Sequence, residues 1–228
     1  MDEREELLGE SEHIGGALCL DFTNTVDWHA SDHPGERLKS YEDLAWWAFY
    51  SHALAADERD RLISLAAQQP ERAGRILEEA HVFRESLYRL FLARIADAAP
   101  SAADLDLLTR ELRRAVKHGA IIFEGDQFTW AWHMGDGKDR AGTLDDLAAP
   151  LWPVVRSTVE LIFSANVRRL RQCAGDECGW LFLDMSKNQT RRWCSMASCG
   201  SRAKALDYYY RSQARKKNRT TEPTQTTR

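Results

Sequence analysis

The stretch CAGDECGWLFLDMSKNQTRRWCSMASCG, residues 173–200, contains four of the five cysteines of the chain. Cys173 and Cys178 form one pair, and Cys194 and Cys199 form a second, with four residues between the members of each pair. Those intervening residues, AGDE and SMAS, are small and turn-forming, so each pair can direct both sulfurs toward one point. Two short cysteine pairs joined by a loop of this length are typical of a closed, four-thiolate zinc site.

The alternatives are redox-active disulfides and unliganded buried thiols. The start of the chain, MDEREELLGESEH, is acidic, unlike a secretory signal, and no apolar run approaches the roughly 20 residues that cross a bilayer. We therefore expect a cytoplasmic protein without a membrane partner, in which thiols stay reduced and bind metal. The fifth cysteine, Cys19, lies between two leucines and is expected to be a buried apolar residue.

A closed zinc site has no open coordination position, so it stabilises structure and performs no chemistry. The charge of the sequence around the cysteines indicates which kind of partner this part of the chain contacts. Residues 166–228 contain 14 Lys and Arg against 5 Asp and Glu, and the preceding residues contain 17 against 30, so a segment of charge +9 follows one of −13. A basic end of this kind predicts contact with a polyanion.

Two basic elements flank the second cysteine pair. The loop between the pairs carries polar and cationic side chains that can contact phosphates and base edges, namely Lys187, Asn188, Arg191 and Arg192. In a helix that begins near residue 201, one face carries Lys204, Tyr208, Arg211 and Arg215. The alternative is an ordinary solvated face, or a helix that docks on the acidic part of the chain itself. We favour DNA over RNA because a helix can enter the major groove.

The residues before 166 predict several helices. Ser40 with Asp43 and Ser101 with Asp104 have the spacing of helix-capping pairs, and Pro70 opens the longest run of apolar residues at helical spacing. We also expect a helix capped by Asp57, and another that starts near residue 153 and runs directly to the first cysteine of the cluster.

AIIFEGDQFTWAW, residues 120–132, predicts a β-hairpin, with Phe128, Trp130 and Trp132 packed into the core from one side. The fold class is therefore mainly α (α+β), with a helical N-terminal domain that includes a small β-hairpin. A C-terminal zinc-finger module ending in a basic helix completes the chain.

CGWLFLDMSKNQTRRWCSMASCGSRAKA, residues 178–205, resembles the CGNR zinc finger, which has a cysteine pair, an aromatic-rich strand and a basic helix. GGALCLDFTNTVDWH (15–29) and YEDLAWWAFY (41–50) resemble the ABATE domain that accompanies this finger in bacterial stress-induced transcription regulators. The resemblance implies that the four clustered cysteines are the metal ligands. It also implies that residues 199–202 are the name-giving segment, and it adds Arg202 to the expected nucleic-acid contacts. The family has Asn where this chain has Ser201, and we hypothesise that Ser201 caps the basic helix.

The N-terminal domain offers candidate sites of lower specificity. Polar residues that could build a second metal site or an acid–base site are Asp21, Asp27, His29, Asp32 and His33. Their spacing is not diagnostic, so we interpret them as a solvated polar loop. Residues that could line a small-molecule pocket are Asn24, Trp28, Trp46 and Trp47. The alternative is that these large rings fill the core.

We predict an ABATE-like sensor or ligand domain at residues 1–165, a four-cysteine finger at 166–217 and a disordered tail at 218–228. The expected function is a DNA-binding transcriptional regulator, and not an enzyme, with one structural zinc ion and a small effector. It would work in the bacterial cytoplasm at the nucleoid, and although the sequence leaves the oligomeric state open, a homodimer would extend the few bases that one small finger reads. The alternatives are an enzyme and a protein–protein adaptor, each with an accessory finger.

Overall fold

A computed structural model describes residues 8, 14–132 and 147–220, with side chains up to residue 213. This part of the chain is mainly helical, which confirms the predicted fold class. The helices are α1 (Leu18–Thr23), α2 (Tyr41–Tyr50), α3 (Ala56–Gln68), α4 (Pro70–Ile95), α5 (Ala102–Ala115), α6 (Trp152–Phe163) and α7 (Ser201–Thr220). Short 3₁₀ turns occupy Val116–His118, Ala149–Leu151 and Ala165–Arg169, and a π-helical turn occupies Met196–Gly200. Within the described ranges, no helix is long and apolar enough to span a membrane.

Local side chains decide where several helices begin. At α2 the Ser40 hydroxyl accepts the N–H of Asp43, and the Asp43 carboxylate accepts the N–H of Ser40, as predicted. At α5 the Ser101 hydroxyl accepts the N–H of Asp104. Pro70 is the first residue of α4, where its missing N–H costs no helical hydrogen bond. The predicted caps of these three helices are therefore confirmed.

Three boundaries differ from the sequence prediction. Helix α3 is not capped by Asp57, because the Glu58 carboxylate reaches back to accept the N–H of Ala55. Helix α6 ends at Phe163 and does not run into the cysteine cluster, since a 3₁₀ turn and a strand come between. Helix α7 includes residues 218–220, where we expected the tail to begin, and residues 221–228 lie outside the described residues.

The described residues form three two-stranded antiparallel sheets. Their strands are β1 (Val26–Asp27) with β2 (Gly35–Glu36), β3 (Gly119–Glu124) with β4 (Gln127–Trp132), and β5 (Leu170–Gln172) with β6 (Leu181–Leu183). The β3–β4 pair is the predicted hairpin. Its turn contains Gly125 at φ +65°, a conformation that favours glycine because a Cβ atom would be crowded there.

The outer part of this hairpin does not pack into the core as predicted. Phe128 is 79% exposed and contacts Phe123, whose strand partner it is, with ring centroids 4.9 Å apart. Only the base of β4 reaches the core, where Trp132 lies 5.9 Å from the buried ring of Trp152. The alternation along β4 identifies one face of the strand, but the hairpin extends beyond the helices that would cover that face.

One hydrophobic core joins the helices to the sheet nearest the cysteines. Phe22 lies between Trp47 and Phe83, with ring centroids 5.2 and 6.4 Å away, and all three side chains are buried. Each such side chain contributes roughly 1.5–3 kcal/mol by leaving water. The same core includes three leucines of β5 and β6, which are Leu170, Leu181 and Leu183. The sheet that carries the cysteine cluster is therefore also part of the N-terminal core.

Candidate metal centre and nucleic-acid interface

The four predicted cysteine ligands converge. All four sulfurs lie within 4.8 Å of one another, and each residue is buried. The Cys178 and Cys194 sulfurs are 3.8 Å apart, and those of Cys194 and Cys199 are 3.6 Å apart. A tetrahedral zinc ion with Zn–S bonds of about 2.3 Å holds its sulfurs about 3.8 Å apart. The donor type, the number of donors and their spacing therefore fit one structural zinc ion.

Backbone turns bring the first pair of cysteines together. The N–H of Gly175 points at the Cys173 sulfur, at 3.4 Å, and a Cβ atom on Gly175 would lie 3.0 Å from the Cys199 sulfur. Gly179, just after Cys178, has φ +71°. These positions need glycine because the backbone passes close to the sulfurs and then turns through a left-handed conformation.

The electrostatics of the cluster also favour a cation. Hydrogen bonds from Cys178 and Cys194 lower the pKa of Cys173 to about 2. The bond to Cys173 raises the pKa of Cys178 to about 12, and the pKa of Cys194 is raised by its bonds to both. Four adjacent thiols cannot all ionise without a positive partner, whereas a zinc ion binds them as thiolates.

The finger is anchored to the N-terminal part by buried hydrogen bonds. The Asn24 side chain donates to the Leu181 carbonyl at 2.9 Å and accepts the Leu181 N–H at 2.8 Å. The Tyr88 hydroxyl donates to the carbonyl of Gly179 at 2.9 Å. The N–H of His29 donates to the carbonyl of the zinc ligand Cys178 at 3.0 Å. Sequence reasoning missed this anchoring because each bond joins residues distant in the chain.

Polar residues of the N-terminal loop make separate structural contacts. Asp21 accepts a backbone N–H, Asp27 binds Arg37 through two N–H donors, and His29 pairs with Glu85 at 2.8 Å. The remaining two candidates, Asp32 and His33, are exposed. The sequence prediction of a solvated loop therefore describes only part of this segment, because Asp21 and His29 are held inside the fold.

A buried carboxylate shapes the loop between the cysteine pairs. Asp184 Oδ1 accepts the N–H and hydroxyl of Ser186, at 3.0 and 2.6 Å, and Oδ2 accepts the N–H of Arg191 at 2.9 Å. Lys187 and Asn188 are exposed at the tip of this loop. Asp184 was not among the predicted site residues, although Asp followed two residues later by Ser is a turn signal that could have identified it.

The two adjacent arginines of this loop have different environments. The Arg191 guanidinium donates to the carbonyls of Trp193 and Cys194 and lies over the Phe182 ring, 4.3 Å from its centroid. Its donors therefore hold the finger together, which differs from the nucleic-acid contact that we expected. Arg192 is exposed beside the Trp193 ring.

Helix α7 presents the predicted basic face to solvent. Lys204 is exposed, Tyr208 is 77% exposed, and Arg211 is exposed but paired with Asp207 four residues earlier. Arg202, the second residue of α7, donates to the Cys199 sulfur at 3.2 Å. The Arg215 side chain lies outside the described residues. The basic face therefore contains one ion-paired arginine, which lowers its net charge.

The orientation of α7 relative to the N-terminal part follows from helix geometry. Arg202, Ala203 and Leu206 line a cavity of about 290 Å³ together with Trp28. At 100° per residue, the mean direction of Lys204 and Tyr208 on α7 differs from that of this lining by about 170°. The basic face consequently points away from Trp28.

The capping hypothesis for Ser201 is wrong. Ser201 has helical dihedral angles, φ −67° and ψ −42°, and its hydroxyl donates to the carbonyl of Met196 at 3.0 Å. The capping acceptor is Ser195, whose hydroxyl accepts the N–H of Ala197 at 3.2 Å. The helical turn starts before residue 201 because the π-helical turn Met196–Gly200 leads directly into α7.

Most of the suggested pocket residues serve packing. Asn24 is the Leu181 anchor, Trp47 is 1% exposed in the core, and Trp46 lies under the Arg59 guanidinium, 3.9 Å from the ring centroid. Trp28 differs because it is 49% exposed, with φ +48°. It borders a cavity of about 280 Å³ between the N-terminal part and the finger.

Comparison with known protein families agrees with this architecture. Residues 169–212 match the family model described as "CGNR zinc finger". Residues 16–165 match the model named ABATE and described as "Putative stress-induced transcription regulator". No curated protein matches the chain. Neither matched family is an enzyme family.

Proposed function

The chain belongs to the ABATE family of putative stress-induced transcription regulators, and on this premise we propose that it acts by binding DNA through its zinc finger. Asp184 shapes the loop of residues 185–190, and the second cysteine pair, which would hold the zinc ion, lies between this loop and the start of α7. The observation that carries the proposal is the exposed basic face of α7, which points away from Trp28 of the N-terminal part. This orientation counts against the alternative in which the helix docks on the acidic part of its own chain.

The structure refines which side chains we propose as contacts. Five exposed side chains remain as proposed contacts, which are Lys187, Asn188, Arg192, Lys204 and Tyr208. Arg211 would contact a phosphate only by exchanging its ion pair with Asp207. Arg202 and Arg191 support the finger through the Cys199 sulfur and backbone carbonyls, so we assign them to positioning. Arg215 stays a prediction.

The contacts we propose are with phosphates first. Lysine and arginine side chains on a helix and an adjacent loop neutralise backbone charge and release counterions, while Asn188 and Tyr208 offer hydrogen bonds to base edges or phosphates. The zinc ion reduces the cost of ordering both elements before they meet the duplex. A DNA partner places the protein in the compartment of the chromosome.

Salt dependence tests this proposal directly. Binding of the zinc-loaded full chain to a fluorescein-labelled random-sequence duplex is measured by anisotropy at several salt concentrations. We expect log Kd to rise with log salt, and the slope to fall by about 2 in Arg192→Ala/Lys204→Ala, which lacks two phosphate contacts. The matched control, Lys117→Ala, removes an exposed lysine from the N-terminal part and should keep the slope. Salt-independent binding, or an unchanged slope in the double variant, would contradict the proposal.

Three finer expectations stay predictions. Sensing of a small molecule rests on Trp28, which alone among the four suggested pocket residues borders the cavities of about 280 and 290 Å³. The prediction of a dimer rests on the small number of bases that one finger can contact. The absence of enzymatic activity is favoured by the regulator family and by the structural contacts of Asp21, Asp27 and His29.

A further inference from the structure

The four zinc ligands differ in the groups that donate hydrogen bonds to them. The Cys173 sulfur accepts backbone N–H groups from Cys194 at 3.2 Å and from Gly175 at 3.4 Å. The nitrogen that donates to the Cys199 sulfur instead belongs to the side chain of Arg202, at 3.2 Å. Hydrogen bonds draw electron density from a thiolate and reduce its reactivity. A bond from an exposed side chain can be broken without moving the backbone, so Cys199 is less firmly protected than Cys173.

The ligands also differ in access. Cys178, Cys194 and Cys199 border the cavity of about 280 Å³ beside Trp28 and Arg37. Cys199 borders the second cavity of about 290 Å³ as well, and Arg202 and Trp28 line both. Although Cys199 is only 3% exposed, it borders two cavities that are large enough to admit a molecule of the size of water or peroxide.

A second thiolate lies within reach of Cys199. The Cys194 sulfur is 3.6 Å away, and the two residues belong to one short segment, so a bond of about 2.05 Å needs only local movement. The only other cysteine of the chain, Cys19, is fully buried, and burial raises its pKa to about 12, so it does not compete.

We propose that Cys199 is an oxidation site for hydrogen peroxide or another small hydroperoxide, and that Cys194 resolves it as a disulfide. The Cys199 thiolate attacks one peroxide oxygen, the O–O bond breaks, a sulfenic acid forms, and hydroxide leaves from hydrogen peroxide or an alkoxide from an organic hydroperoxide. The Cys194 thiolate then attacks the Cys199 sulfur, the S–O bond breaks, and hydroxide leaves as the disulfide forms. The two thiolates lose two electrons in total, and the peroxide gains them.

Zinc leaves as a consequence. Two of its four thiolates are consumed, and a two-cysteine remnant no longer closes the tetrahedral site. The π-helical turn Met196–Gly200, which links the second cysteine pair to α7, loses its attachment to the metal. The inference concerns the metal centre alone and holds whether or not the finger binds DNA.

Tryptic mapping of the zinc-loaded full chain tests this assignment. Cleavage after Arg192 and Arg202 yields residues 193–202, which contain Cys194 and Cys199, while Cys173 and Cys178 lie together in residues 172–187. After hydrogen peroxide, we expect peptide 193–202 to be about 2 Da lighter and to resist alkylation. Peptide 172–187 should still take two alkyl groups, and a chromogenic chelator should report zinc release at the rate of disulfide formation. A cross-link between the two peptides, a disulfide within 172–187, or oxidation with zinc retained would overturn the proposal.

A variant pair tests the role of the guanidinium. Arg202→Ala removes the hydrogen bond to Cys199 and opens both cavities, so peroxide should release zinc about fivefold faster. Lys204→Ala lies on the opposite side of α7 and should release zinc at the wild-type rate. Circular dichroism before oxidation checks that both variants are folded. An Arg202→Ala rate equal to or below that of the wild type would refute the protection argument.

Discussion

Asn24→Ala tests whether the finger and the N-terminal part form one cooperative unit. Asn24 is 5% exposed, and its side chain bonds both backbone groups of Leu181, which is itself fully buried. Alanine leaves a buried N–H and a buried carbonyl without these partners, and each orphaned group costs roughly 1–3 kcal/mol. We expect a loss of about 3 kcal/mol in the free energy of unfolding, which for a chain of this size lowers Tm by about 6–12 °C.

Urea denaturation of the zinc-loaded protein measures this loss. Far-UV circular dichroism follows the helices of the N-terminal part, and a chelator dye follows zinc release. Because the core is shared, both signals should shift to lower urea together. The matched control is Asn188→Ala, an exposed asparagine of the finger loop, which should change stability by less than about 0.5 kcal/mol. The reasoning fails if Asn24→Ala costs as little as the control, or if zinc is lost in a separate, earlier transition while the helices keep their wild-type midpoint.

Three further predictions concern the contact between the finger and the N-terminal part, and the ion pair between Arg89 and Asp104. Chelation of zinc should lower the stability of the helical part as well as that of the finger, seen as a lower Tm by circular dichroism; an unchanged Tm would contradict the shared core. Gly179→Ala should lower the free energy of unfolding, measured by urea denaturation, by about 2 kcal/mol or more. Gly179 has φ +71°, and a Cβ atom on it would lie 2.7 Å from the backbone nitrogen of Ala30. A free energy of unfolding within about 0.5 kcal/mol of the wild type would contradict this prediction. The hydrogen bond from Arg89 lowers the pKa of Asp104 to about 2. This folded-state pKa lies below the unfolded value of about 3.9, so the ion pair stabilises the fold above pH 4 and ceases to do so as the pH falls toward 2. In urea denaturation between pH 4 and pH 2, the free energy of unfolding of Asp104→Asn should therefore fall by about 1 kcal/mol less than that of the wild type.

The sequence predicted those features that depend on local spacing. The cysteine pairs, the Ser40–Asp43 cap and the position of Pro70 are each specified by a few neighbouring residues, and the structure agrees with all of them. The zinc site could be inferred for the same reason, since its donor atoms come from two short segments of one stretch.

The contacts that the sequence did not reveal concern residues whose partners are distant or come from the backbone. Asn24 bonds Leu181 across 157 positions, which no local pattern reveals. Arg191 has the composition of a phosphate-binding residue but donates to carbonyls of its own finger. Ser201 follows the final glycine, as a helix cap would, yet the preceding π-helical turn had already started the helix. The charge and type of a residue show which contacts its side chain can make, whereas the groups around it in the fold determine which contacts it does make.

The contribution of β6 to the N-terminal core also affects the order in which the protein can fold during synthesis. Residues 18–23 emerge from the ribosome long before Leu181 and Leu183, the side chains that complete their packing. Until then the nascent helical part exposes an unfilled apolar surface, and the last step of closure depends on thiolates that capture a metal ion. In a cell short of zinc, chaperones and proteases would therefore act on the N-terminal part of newly made chains as well as on an unfolded C-terminal finger.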